Sequence, residues 1–449
     1  MRSEWRVGRA LPWILLIVAV GVVLGGVYFW PGGRDEPSEP VPAESLVLIT
    51  VDGLRHDALG VNGAARKTPA IDTLAARGVV FENTVTAINE TVPSLAAIST
   101  ALYPVDLDLH HDGADLCEGA TTLAEHLKSQ GFACGAFLGS GTVSTESDHG
   151  LAQGFDVFEA GSGKDRPAAK VVQQAIQWMK GKPKSFTWIH LSDPTTPYAS
   201  EPADPDGEIA FDVRPSWRAH PRLAFLKGRT SLEEVRGLYY DRVADVDAAV
   251  GRLTGALEVE GRLASTLVAV TGTYGESLGE HDIFFDHYGL FEPVVRVPWV
   301  LAGGTVPEGK KLRTQVRTID IGPTVLPQLR VEPLPVPVGP DGSKRAEDAS
   351  PIWAPEGDWA GSTREAVIEQ AGAVAAAGRT QHIKGITALQ ETSEYPHLGW
   401  KVNDFQAFDI ENDPEESVDQ AGKFEDLVSK IAQKVFEAAS SRHDPCGTD

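Results

Sequence analysis

From residue 46 onward the chain alternates two hydrophobic patterns. Residues 46–51 are an unbroken run of Leu, Val, Ile and Thr that stops at Asp52. Such a run reads as a strand buried on both faces, delivering a carboxylate at its C-terminal end. Further short apolar runs at 79–81, 133–138, 186–191, 267–271 and 299–301 predict strands, and helical periodicity at 93–101, 122–129, 168–180 and 232–257 predicts helices between them. The alternation implies an α/β fold, a three-layer sandwich with a large mixed, mostly parallel sheet. Open sheets of this kind place their sites at the carboxyl ends of the strands, so Asp52 stands at the edge where chemistry is expected.

The flanks carry different patterns. Residues 11–30 contain no charged side chain and follow Arg2, Arg6 and Arg9. A helix of that length spans a hydrocarbon core of about 30 Å, and the preceding arginines favour a cytoplasmic N-terminus. The expectation is a cytoplasmic segment 1–10, a transmembrane anchor 11–30 and a Pro/Gly/acid-rich linker 31–45, with the main domain extracytoplasmic; a cleaved signal peptide is the competing reading. At the other end, 336–357 is rich in Pro, Gly and Asp and lacks apolar periodicity. It marks a boundary between an α/β domain, 46–340, and a smaller C-terminal α+β subdomain, 341–449, with short strands and a closing amphipathic helix near 424–438.

Composition adds little beyond charge. With 449 residues and 42% hydrophobic content the chain can bury a large core. A formal net charge of −23 excludes nucleic acid as a general partner, since polyanions attract a basic field. Cys117, Cys134 and Cys446 are an odd set of three, so they cannot all pair within the chain; Cys117 with Cys134 is one candidate bridge and buried free thiols are the other.

Several dispersed segments, in order, suggest a lineage. Thr91-Val92-Pro93-Ser94-Leu95 resembles the sulfatase signature (Cys or Ser)-x-Pro-Ser-Arg, with Thr91 at the nucleophile position. Leu48 to Arg55, with Thr68-Pro69-Ala70-Ile71-Asp72 after it, is similar to the family's opening strand and first helix. Leu238-Tyr239-Tyr240, Asp247, Gly275-Glu276-Ser277-Leu278-Gly279-Glu280-His281, His287, Phe291-Glu292, Arg296-Val297-Pro298, Ile319 to Thr324 and Phe408 to Pro414 recur in family order.

The resemblance implies a sulfatase-like hydrolase of the alkaline phosphatase superfamily. Its members use a formylglycine made from Cys or Ser beside a divalent cation, with Arg, Lys and His side chains neutralising the sulfate. Carried over, Asp52 matches a metal ligand and His287 a sulfate contact. Gly53 stands where many members have a second aspartate. Thr273 and Tyr274 replace an acidic ligand and its neighbour, Leu95 replaces the arginine, and Thr195 replaces a candidate leaving-group histidine. Asp52 also reads as a solvated or turn-capping carboxylate, and Thr91 as the N-cap of a helix begun by Pro93. His281, Asp282, Asp286 and His287, or His110-His111-Asp112, could be ligand clusters, with solvated loops as the plainer reading.

Two expectations follow. The first is a pseudoenzyme, impaired or inactive for sulfate ester hydrolysis, that needs no cofactor and binds a small ligand or a protein partner at a membrane. The second is a sulfuric or phosphoric ester hydrolase or transferase that uses Thr91 as nucleophile and holds a divalent cation, Ca²⁺ or Zn²⁺.

Overall fold

The computed structural model describes residues 41–211, 221–335, 346, 365–390, 401–402 and 404–424. Those from Pro42 on belong to one compact unit. Its first half runs β1 (Ser45–Val51), α1 (Pro69–Ala76), β2 (Gly78–Val85), α2 (Thr91–Thr100), α3 (Leu123–Ser129), β3 (Ala133–Leu138), β4 (Val157–Glu159), α4 (Ala168–Met179), β5 (Ser185–Leu191) and α5 (Leu232–Val259). Then come β6 (Thr266–Gly272), β7 (Ser277–Leu278), β8 (Phe284–Asp286), α6 (Glu292–Val295), β9 (Arg296–Ala302), β10 (Lys310–Leu312), β11 (Val316–Arg317) and α7 (Ile321–Gln328). The last strands are β12 (Ala366–Glu369), β13 (Ala375–Arg379), β14 (Ile383–Ala388) and β15 (Phe405–Asp409).

A nine-stranded sheet in the order β10-β2-β9-β6-β1-β5-β3-β4, with β11 also on β2, forms the middle layer. All its strands run parallel except β9, which is antiparallel to both β2 and β6. The sheet is therefore the mixed, mostly parallel one expected. The reversal of β9 is not encoded in its apolar run, because a strand buried on both faces reads the same in either direction. Along β1 the side chains alternate between two cores. Val47, Ile49 and Val51 join helices α1, α4 and α5 on one face, while Leu46 and Leu48 join α2, α3 and α7 on the other. Each such buried aliphatic side chain contributes about 1.5–3 kcal/mol relative to exposure.

Helix starts follow local chemistry in places and distant chemistry in others. Thr122 and Glu125 form a capping box at α3, and the Ser231 hydroxyl accepts from Glu234 N at α5. At α1 the free N–H groups of Ala70 and Ile71 instead donate to Asp247 on α5, at 3.2 and 2.8 Å. This brings two helices of one layer into register through a carboxylate at an N-terminus.

The smaller antiparallel sheet β12-β13-β14-β15 supplies the short C-terminal strands. It is bound to the large sheet by a buried charge cluster. Arg379 of β13 grips both oxygens of Glu292 on α6 at 2.9 and 2.8 Å, and Lys384 of β14 reaches Glu292 at 3.2 Å and Glu416 at 2.6 Å. The two cations hold Glu292 ionised, well below the usual carboxylate range, despite its burial. Glu369 N also donates to Ala87 O at 2.9 Å, extending the contact toward α2.

Three expectations meet these observations. Among the described residues no helix is long and apolar enough to cross a membrane. The single-pass membrane placement is corrected on that finding; the run 11–30 that suggested it lies outside the described residues. The closing helix near 424–438 also lies outside them beyond Phe424. The Cys117–Cys134 bridge does not form: Cys134 is a free, buried thiol, pushed up to about 12 chiefly by burial, whereas Cys117 is disulfide-bonded.

Candidate functional site

Asp52 follows the last residue of β1 and is 1% exposed. Both of its oxygens are taken by hydroxyls. Thr91 Oγ1 donates to Oδ2 at 2.7 Å, and Thr273, just past β6, donates to Oδ1. His190 of the neighbouring strand β5 places Nε2 at 3.3 Å from Oδ2, close enough for ion pairing but without hydrogen-bond geometry, while its Nδ1 faces Thr50 Oγ1 at 3.1 Å. Burial alone would raise the Asp52 pKa. The imidazole of His190 and the two threonine hydroxyls outweigh it, holding the carboxyl below its ordinary value.

Thr91 is the first residue of α2, and Glu90 occupies the N-cap. The expected capping role therefore fails, because the hydroxyl that would cap the helix is committed to Asp52. The vacancy is filled from a distance: Asp112 Oδ1 accepts from Val92 N at 2.7 Å. The 110–112 segment is consequently not a free surface loop. His110 is tied to Glu369 at 2.7 Å, and Asp112 is raised above the ordinary Asp value by burial and, to a lesser degree, by the charge of Asp52.

Tyr274 closes the cluster. Its hydroxyl lies 3.0 Å from Thr91 Oγ1, and its ring stacks at a tilt on His287, centroids 4.7 Å apart. Thr91, Thr273 and Tyr274 are 3%, 0% and 4% exposed, so the hydroxyl pair is covered, whereas His287 keeps a side chain 21% exposed at the margin. The loop carrying His287 is pinned by Asn89, whose Nδ2 donates to His287 O at 2.6 Å and to Gln370 Oε1 at 3.0 Å. The small C-terminal sheet thus sets the position of one wall.

The other sequence candidates fall apart from this centre or lose their polarity. Leu95 is fully buried in the core formed with α3 and α7. The Thr195 hydroxyl is used by Ser192 O at 2.8 Å. His281 stacks flat on Phe291 at 3.7 Å, away from the Tyr274–His287 pair, so the His281–His287 cluster does not assemble. Gly53 adopts φ +71°, and a Cβ built there would lie 2.4 Å from Pro194 O and 3.1 Å from Thr195 Cγ2. No aspartate fits at position 53 in this backbone.

The donors do not suit a hard divalent cation. Such an ion takes 6–8 oxygens, largely carboxylate. Here one carboxylate already accepts from two hydroxyls, one on each oxygen, and among the described residues no group of three His, Cys, Asp or Glu side chains converges. Sequence reasoning named Asp112 only within a possible ligand run, missing its capping role, and missed His190. A histidine inside the apolar run 186–191 was the available signal for the latter; Asp112 had none, because its partner is a backbone N–H remote in sequence.

A helix-borne hydroxyl against a strand-end carboxylate, at the carboxyl edge of a sheet flanked by helices on both faces, is the layout of a sulfatase-like hydrolase. The sequence model of the sulfatase family matches residues 44–331, and the chain belongs to that family. It is similar to arylsulfatase K of Homo sapiens, 22% identical over 486 residues that cover 94% of this chain and 87% of that protein. The match to arylsulfatase K of Bos taurus, 23% identical, covers 45% of this chain and spans only 36% of the bovine protein. In fold it is similar to the phosphonate monoester hydrolase of Agrobacterium radiobacter, with a TM-score of 0.68 at 19% identity over 89% of this chain and 95% of that one.

Proposed function

We propose that this sulfatase-family hydrolase is impaired or inactive toward sulfate esters, and that it serves by binding a small ligand or a protein partner. One observation carries the reading. Asp52, which would be both metal ligand and neighbour of the nucleophile, has each oxygen occupied by a threonine hydroxyl beneath Tyr274. A carboxylate held below the ordinary Asp pKa is a weak general base, because proton transfer is most effective when the pKa lies near the working pH. The electrostatics also run the wrong way. Family chemistry surrounds the sulfate with cations, whereas Asp52 and Asp112 here face the helix start from two sides.

Thr91, Asp52 and His287 remain the residues on which any residual activity would depend. The second reading, a metal-dependent sulfuric or phosphoric ester hydrolase with Thr91 as nucleophile, is favoured by one contact: the hydroxyl already donates to a carboxylate at 2.7 Å, within proton-transfer reach. An assay of aryl sulfates and phosphodiesters with and without Ca²⁺, Mg²⁺, Mn²⁺ and Zn²⁺, paired with elemental analysis, separates the two. The expected result is no turnover and no stoichiometric metal. Turnover that vanishes in Thr91→Ala would overturn the proposal in favour of the second reading.

A further inference from the structure

Apart from the Thr91 centre, an open cleft of about 620 Å³ lies between the two sheets, with walls from β2, β9 and β10 on one side, the β13–β14 turn on the other and the 56–63 segment completing it. That size is typical of a small-molecule site. Its lining is unusual for a chain of net charge −23. Lys311 and Arg313 share a single carboxylate, Glu82, at 3.5 and 3.4 Å. Arg296 adds a third cation and makes no salt bridge among the described residues, although Glu292, Asp57 and Glu82 lie near enough to favour its charge. Its Nε and Nη2 donate only to the backbone carbonyl of Glu82, which leaves Nη1 without a protein acceptor there. Three cations therefore face one anion on this wall.

The rest of the lining is balanced. Arg379 is matched to Glu292, and His382 to Glu411 at 3.0 Å. His56 stays neutral, lowered to about 3 by burial and next by the nearby charge of Arg296. An adjoining cavity of about 590 Å³ shares Arg296 and His56 but has acidic walls, with Arg55 enclosed between Asp57 and Glu280. The excess positive charge is thus confined to one end. A half-buried guanidinium with a free edge, flanked by a lysine and a second arginine, matches the geometry and charge of a tetrahedral or planar oxyanion.

We infer that this cavity is an anion-binding site, taking a sulfate, phosphate or carboxylate group through Arg296, Lys311 and Arg313. The group is either a free ion or one carried by a small molecule. The inference is independent of the reading of the Thr91 centre, and its test keeps the two apart.

The full chain is titrated calorimetrically at low ionic strength with sodium sulfate, sodium phosphate and sodium glucuronate, with sodium chloride as control. At least one probe saturates, and which one does assigns the source of the group. Its Kd rises about tenfold or more in Arg296→Gln, as for loss of a charge-assisted hydrogen bond. It rises a few-fold in Arg313→Gln, whose side chain is 88% exposed and is replaced without disturbing the core. Thr91→Ala leaves it unchanged. Failure of all three probes to saturate, or binding that Arg296→Gln and Arg313→Gln leave intact, overturns the site. Loss in Thr91→Ala alone also overturns it, by placing the anion at the other centre.

Discussion

Thr91 and Asp52, 39 positions apart, are joined by a 2.7 Å hydrogen bond in which the hydroxyl donates and the buried carboxylate accepts. The bond removes a helix cap from one element and completes the hydrogen bonding of another. Replacing Thr91 by Val keeps the shape and deletes the donor, leaving Asp52 Oδ2 short of a partner in the interior. The expected loss is about 1–3 kcal/mol of stability. Thr91→Ser, which keeps the hydroxyl, is expected to lose markedly less, and urea denaturation of the three proteins measures the difference.

The distant cap of α2 gives a second expectation. Asp112→Ala frees the Val92 N–H and should cost about 0.5–2 kcal/mol, the range for a lost N-cap. Asp112→Asn retains an acceptor, and because burial has already raised the Asp112 pKa, it should cost less. Chemical denaturation midpoints check both.

Glu276 supplies a pH signature. It is fully buried, accepts from Thr196 N and Oγ1 at 3.2 and 2.6 Å, and is pushed up to about 8, mainly by burial. Between the ordinary Glu value of 4.5 and that raised value, the folded chain holds one proton more than the unfolded chain. Stability therefore falls as pH rises through that window, by up to about 1.4 kcal/mol per pH unit. Asp193, raised to about 6 by burial, adds the same sign only at the acidic end. Urea midpoints at pH 6 and pH 8 should differ in the wild type, and Glu276→Gln should bring them closer together.

The charge cluster between the sheets predicts a non-additive pair. Glu292→Gln leaves Arg379 buried without its carboxylate and Lys384 with Glu416 alone, and should cost about 3–5 kcal/mol. The double variant Glu292→Leu, Arg379→Met removes both charges of the tightest pair and retains Lys384 with Glu416. In the cycle with Glu292→Leu and Arg379→Met as the single variants, the double variant should cost less than the sum of the two.

Much of the architecture was legible because it rests on local periodicity. The run ending at Asp52, the strand containing His190 and the helix beginning near Thr91 all lie where apolar pattern and turn residues place them. What escaped detection depends on contacts across the fold. Thr91 satisfies the local rule for a helix cap, and the rule yields because a buried carboxylate competes for the same hydroxyl. The role of Asp112 rests on a backbone N–H twenty positions earlier, which leaves no mark in composition or spacing. The direction of β9 is set by its neighbours β2 and β6 rather than by its own residues. Motif order revealed the lineage.

The close packing at Gly53 also bears on what the site can accept. A carboxylate could face Asp52 from position 273 by substitution alone, since Thr273 already points at Asp52. At position 53 it could not: the Pro194 carbonyl and the Thr195 methyl occupy the space, and the backbone sits in a conformation that suits glycine. Placing an aspartate there requires the 194–195 turn to withdraw first. A carboxylate pair on this strand is therefore epistatic on the 194–195 turn, which must move before a second acidic side chain can enter.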